Sequence, residues 1–100
     1  MSYRLSRNAD DDLTAVYLQG RELFGRAQAE AYYIALLARL DFLAENPRAA
    51  RERPDMDPPV RAHPSGAHVI VYQIEGKDIV ILGIRQAREN WTAIDWNIDS

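Results

Sequence analysis

Residues 68–84, HVIVYQIEGKDIVILGI, hold two runs of Val, Ile, Leu and Tyr separated by the polar tetrapeptide Glu75-Gly76-Lys77-Asp78. This pattern folds as a β-hairpin, because β-branched and aromatic side chains suit a pleated surface and Gly76 suits the turn. Strict alternation puts His68, Ile70, Tyr72 and Ile74 on one face of the first strand and Val69, Val71 and Gln73 on the other. On the second strand it sets Val80, Leu82 and Ile84 against Ile79, Ile81 and Gly83. Both faces are largely apolar. Strands of this kind lie inside a sheet with packing over them, and helices from the first half of the chain are expected to supply it.

That first half reads as a strand and two helices. Tyr3-Arg4-Leu5 alternates like a short edge strand, and Ser6 or Asn8 offers an N-cap oxygen to the helix that follows. Asp10, Asp11 and Asp12 fall in its first turn, where the helix dipole favours carboxylates. Ala9, Leu13, Val16, Gly20 and Leu23 recur at intervals of three and four, which marks one apolar face, and Phe24-Gly25 ends the helix. A second helix, roughly Ala27 to Glu45, carries Tyr33, Leu36, Leu37, Leu40, Leu43 and Ala44 on its buried face and closes at Asn46-Pro47. Residues 46–59 hold four prolines and mixed charge, so an extended loop without a core of its own is expected. Val60 to His63 is a short strand and Pro64-Ser65-Gly66 a turn into the hairpin. Trp91, Ile94, Asp95 and Ile98 recur at helical spacing, which predicts a terminal turn or two of helix. The expected fold is α+β, one domain over residues 1–100. A helical hairpin packs on an antiparallel sheet of three strands plus an N-terminal edge strand, in the order β-α-α-β-β-β with a short C-terminal helix.

Composition narrows the function. One hundred residues, 47% of them hydrophobic, support a single core. Twelve basic and fifteen acidic side chains leave a formal charge of −3, spread evenly along the chain, so nothing draws the protein onto nucleic acid or an anionic membrane. A protein partner suits that balance better. Cysteine is absent, which removes thiol chemistry, and two histidines do not build a metal centre unaided, so neither metal nor cofactor is expected. The opening MSYRLSRNADDD lacks the apolar run of a signal peptide and no long apolar stretch follows, so a soluble cytoplasmic protein is expected.

Taken together, these segments resemble the ParE branch of the ParE/RelE superfamily of bacterial toxins from type II toxin–antitoxin modules. YRLSRNADDDL is similar to the family's opening strand, Ser cap and first helix, and ENPRAARER to the end of its second helix. VRAHPSGAHVIVYQIEGKDIVILGIRQARENW is similar to its three-strand block. Within it, Val71-Tyr72-Gln73, Gly76-Lys77-Asp78, Ile81-Leu82-Gly83-Ile84 and Gln86-Ala87-Arg88 follow the family's order of aromatic strand, turn, final strand and Arg-bearing motif. The resemblance implies a toxin that binds DNA gyrase and traps it on cleaved DNA. It also implies a cognate ParD-like antitoxin that wraps the toxin in a hetero-oligomer.

The RelE-like branch instead cleaves mRNA on the ribosome, which needs a base, an acid and cations around the phosphate. This chain has a single lysine, Lys77, in the hairpin turn. Gly83 stands where many relatives carry a basic residue, and the tail after Arg88 reads Glu89-Asn90-Trp91, without Tyr or His. An endoribonuclease would have to gather Arg61, His63, His68 and Arg88 on one concave surface. The plainer expectation is that the histidines cap strand ends and the arginines are solvated or paired with Glu89, Asp95 or Asp57. For target binding the candidates are Arg85, Arg88, Trp91 and Trp96, since Arg and Trp are enriched at binding hot spots. Of these, Trp91 suits packing over the sheet and Trp96 suits an exposed anchor. Tyr3 and Leu5 on the edge strand, with Tyr17 and Tyr32 on the helices, are candidates for antitoxin contact, by strand addition and a helix laid across the groove. A further alternative is a chain that has lost toxicity and serves as an antitoxin-binding co-repressor.

Overall fold

The chain opens with a three-residue strand, β1 (Tyr3–Leu5), and turns at Ser6 into helix α1 (Arg7–Phe24) in the computed structural model, which describes residues 2–97. Of the two candidate caps, Ser6 is the one used. Its hydroxyl accepts from the Ala9 N–H at 3.0 Å and donates to the Leu82 carbonyl at 3.0 Å, so one buried side chain starts a helix and holds it to the sheet. Gly25, at φ 87°, stops α1 and leads directly into α2 (Arg26–Glu45). The two helices close on each other at Gly20, where a Cβ would already stand 3.4 Å from that of Ala29. Leu36, Leu40, Leu43 and Ala44 are buried against the sheet as expected, with Tyr33 and Leu37 partly so. Leu23 keeps the periodicity of α1 but is 65% exposed, so the apolar stripe outlasts its packing by a turn.

The sheet has five strands in the order β1-β5-β4-β3-β2, from β2 (Glu52–Arg53), β3 (Val60–Ser65), β4 (His68–Glu75) and β5 (Asp78–Gln86). β1 runs parallel to β5, while the other neighbours are antiparallel, so the sheet is mixed. Two expectations are corrected here. Residues 46–59 contain β2, which pairs Glu52 with Arg61 and Arg53 with Val60, and Met56 packs beneath the sheet. β3 also runs on through Pro64 and Ser65, leaving Gly66-Ala67 as the turn. Pro64 is tolerated because, among the described residues, no strand lies on the outer side of that part of β3, so its missing N–H costs no ladder bond.

A register shift divides the hairpin. Val71 lies opposite Gly83 but Tyr72 opposite Ile81, which leaves Leu82 as an extra residue on β5. The bulge moves Ile84 to the helical side, where it packs with Ile79, Ile81, Ile70 and Tyr72. Period-two counting had placed Ile84 with Val80 and Leu82. The opposite side, with Val60, Val69, Val71, Val80 and Leu82, is covered by the C-terminal segment rather than by helices. That segment makes one 3-10 turn, Trp91–Ala93, and then brings the six-membered ring of Trp96 over Gly83; Ile98 lies outside the described residues. The two tryptophans therefore exchange their expected roles. Trp96 is 4% exposed and its Nε1 donates to the Trp91 carbonyl at 3.1 Å, whereas Trp91 is only partly buried.

The turn between β3 and β4 is held from above by Tyr32. Its hydroxyl donates to the Ser65 carbonyl at 3.1 Å and accepts from the Ala67 N–H at 3.2 Å. The same hydroxyl lies 2.7 Å from His68 Nδ1, a hydrogen bond whose direction follows the tautomer of the ring. Burial holds the His68 pKa below its ordinary value, against the opposing pull of the Asp12 and Glu89 carboxylates. His63 is lowered too, by burial and then by the charge of Arg39.

Two outcomes follow from this packing. A Cβ on Gly83 would stand 2.7 Å from two ring carbons of the buried Trp96, so Gly83→Ala is expected to cost about 1–3 kcal/mol in urea denaturation. Both histidines favour the neutral form when folded, so the unfolded chain binds more protons. Stability is then full above about pH 6.5 and declines as pH falls below it. Denaturation midpoints measured across that range should fall less steeply in His68→Asn than in the parent.

Candidate interaction surface

Where β1 ends, α1 takes over the open side of β5. Asp12 Oδ2 accepts from the Ile84 N–H at 3.0 Å, and Oδ1 accepts from Arg85 Nη1 at 3.1 Å. Arg85 in turn donates from Nε and Nη2 to the two oxygens of Glu89, at 2.7 and 3.2 Å, while Glu89 also accepts from the Gln86 N–H. One guanidinium thus joins α1, β5 and the start of the tail. Burial raises the Asp12 pKa even though the Ile84 N–H and Arg85 both work to lower it. The bidentate contact goes to Glu89, whose pKa that bond lowers. In the sequence Asp12 looked like one of three dipole-compensating carboxylates. Its reach across to β5 depends on a helix-to-sheet packing that no local pattern encodes.

This network decides which target-binding candidates face outward. Arg85 is committed to Asp12 and Glu89, the latter being one of the partners expected for it. The exposed-anchor expectation for Trp96 is corrected by its burial over Gly83. Arg88 is exposed on the turn after β5, and Trp91 presents a partly buried ring with the Arg53 guanidinium 5.6 Å from its centroid. Arg53 is itself paired with Asp55. The outward face of this exit is therefore Arg88, Trp91 and Arg53, and only the last lay outside the sequence candidates.

The endoribonuclease candidates are distributed among separate packing tasks. Arg61 Nη1 donates to the Ala50 carbonyl at 2.7 Å and ties the loop after α2 to β3. His63 lies against Phe42, with ring centroids 6.1 Å apart, while His68 is bound to Tyr32. Those two partners sit ten residues apart on α2, roughly 15 Å along its axis. Arg88 stands alone of the four in being fully at the surface.

The antitoxin candidates also differ in availability. Tyr3 and Leu5 lie partly buried against the helical-side core. Tyr17 meets Tyr33 edge-on, with centroids 5.5 Å apart, and carries Arg21 at 5.9 Å. Tyr32 is spent on the β3–β4 turn. The apolar surface that periodicity passed over is on the outer sides of the helices, where Leu18, Phe24 and Ile34 are each more than half exposed. Among the described residues, no group of three or more His, Asp or Glu side chains could hold a metal ion, and no helix is long and apolar enough to cross a membrane.

Comparison with known proteins places this architecture. The family described as ParE toxin of type II toxin–antitoxin system, parDE, matches residues 3–91. Toxin ParE1 of Caulobacter vibrioides is 29% identical over 85 residues, which span 85% of this chain and 88% of that protein. A solved chain described as a chromosomal ParDE toxin–antitoxin system from P. aeruginosa superposes with a TM-score of 0.74 at 26% identity, covering 86% of this chain and 95% of that one. The matched span runs from β1 to the tail and takes in the bulge, the Asp12–Arg85–Glu89 network and the helical hairpin. This chain belongs to the ParE family of type II toxin–antitoxin toxins.

Proposed function

We propose that the chain arrests growth in the cytoplasm by binding DNA gyrase, with no chemistry of its own, and that a ParD-like antitoxin neutralises it. The observation that carries this reading is the family match over nearly the whole fold, from β1 through Trp91. The surface supports it. The exit of β5 is braced on Asp12 and Glu89, so Arg88 and Trp91 are presented from a fixed position and little ordering is needed to bind. Antitoxin binding is assigned to β1, whose outer side has no strand neighbour among the described residues, and to the exposed Leu18 and Ile34 on the two helices. The solved relative described as a ParDE system supports such a partner.

Purified toxin added to gyrase and supercoiled DNA should abolish supercoiling and accumulate cleaved complexes. The paired substitution Arg88→Ala, Trp91→Ala should raise the inhibitory concentration by at least about tenfold, as loss of hot-spot residues does. No inhibition by a large excess of folded toxin would sink the gyrase assignment. For the antitoxin, amide exchange at Tyr3, Arg4 and Leu5 is expected to slow when the two proteins are mixed. Unchanged exchange in a formed complex would exclude strand addition at β1.

A further inference from the structure

The sheet has a second open edge, on the side away from β1. β2 pairs with β3 only at Val60 and Arg61, so among the described residues no strand lies on the outer side of Ala62 to Ser65. The two-residue turn Gly66-Ala67 makes Ser65 and His68 a hydrogen-bonded pair. Alternation along the ladder then directs the backbone groups of Ala62 and Pro64 outward. The free edge offers one N–H and two carbonyls, and Pro64 limits how long a strand could dock there.

Above this edge α2 carries an exposed cation and ring. Phe42 is 40% exposed and tilted against His63, and the Arg39 guanidinium lies 5.3 Å from the centre of the Phe42 ring. Among the described residues Arg39 has no carboxylate within ion-pair distance, unlike Arg85, Arg53 and Arg26. Its charge is felt by His63, whose pKa it helps to lower. Ala38 and Ala35, one and two turns back from Phe42 on the same side of α2, are exposed and carry only a methyl group each.

We propose that this face, formed by Arg39, Phe42, His63 and the free edge of β3, binds an extended peptide segment of a partner protein that carries a carboxylate side chain. The proposal rests on the reading of this toxin as a protein-binding inhibitor. The strand edge selects a peptide, since a nucleic acid has no N–H and C=O ladder to match it. The net charge of −3 works against a nucleic acid as well. Arg39 selects the carboxylate, and Phe42 provides the apolar contact beside it.

The test is selection from a displayed library of random linear peptides on the full chain, followed by affinity measurements on the synthetic winners. Enrichment of Asp or Glu next to β-branched or aromatic residues is expected. Affinity should drop at least about tenfold in Arg39→Glu and in Phe42→Ala. A Lys-for-acid version of the peptide should recover binding to Arg39→Glu. Both substituted residues are at the surface, and unchanged thermal unfolding confirms that the variants are folded. The proposal is overturned if no acidic peptides emerge, if the winners bind Arg39→Glu undiminished, or if a single-stranded oligonucleotide displaces them. The selection uses the toxin alone, so its failure leaves the gyrase assay intact, and loss of the gyrase assignment leaves a positive selection standing.

Discussion

The structure depends on how the outer side of β5 is completed. β4 pairs with this strand along its length, but β1 covers only Ile79 to Ile81. Just beyond, the bulge at Leu82 turns a carbonyl and then an N–H toward a region with no strand. Buried main-chain groups of this kind are costly to leave unpaired. The Ser6 hydroxyl takes the Leu82 carbonyl and the Asp12 carboxylate takes the Ile84 N–H, so the first turns of α1 act as a continuation of β1. This docking sets the angle of the helical hairpin on the sheet. It also places a carboxylate where Arg85 can reach it, and Arg85 then brings Glu89 back along the strand.

The position of the tail follows from the same bulge. Without the extra residue, Ile84 would face the tail side and the helical core would lose one of its buried side chains. With it, Gly83 presents bare backbone to Trp96, and the indole lies where any larger residue would collide. The backbone N–H groups of Trp91, Ala93, Ile94 and Asn97 bond to Glu89, Asn90, Trp91 and Asp95, within the tail and the turn before it. The tail is held by side-chain burial and by the braced turn that precedes it. A position that looked, in the chain alone, like a missing catalytic cation is occupied by a glycine for packing reasons.

Much of this was legible in the sequence because it rests on local physics. The caps, the glycine stop at Gly25, the apolar faces of both helices and the β4–β5 hairpin all come from propensity and period. The reassignments share one cause. β2 has too few residues to show alternation, and its pairing depends on where β3 happens to lie. Ile84 changes sides through a bulge that is defined only by the partner strand. Trp91 and Trp96 were ordered by an assumed helix, but the segment makes a single 3-10 turn and then extends, which reverses which ring points inward. Asp12 and Tyr32 are placed by contacts across 72 and 36 positions of chain, to Ile84 and His68 respectively. Side chains that act at such range carry no neighbouring pattern from which their role could be read.

The two edges of the sheet are unlike, and this shapes how a small toxin can serve more than one partner. β1 is short and carries Tyr3 and Leu5 against the core, so burial of apolar area dominates any contact made there. The free part of β3 is interrupted by Pro64 and overhung by a cation and an aromatic ring, so a contact there is brief and selected by charge. An apolar site of the first kind suits a tight partner that folds on binding, because area can offset the ordering cost. A charged, short edge suits faster and weaker exchange, since electrostatic attraction acts on encounter more than on residence. The two edges are separated by β5 and β4, so occupation of one does not by geometry exclude the other. On the assignments proposed above, a partner at β1 would leave the β3 edge free for a second protein.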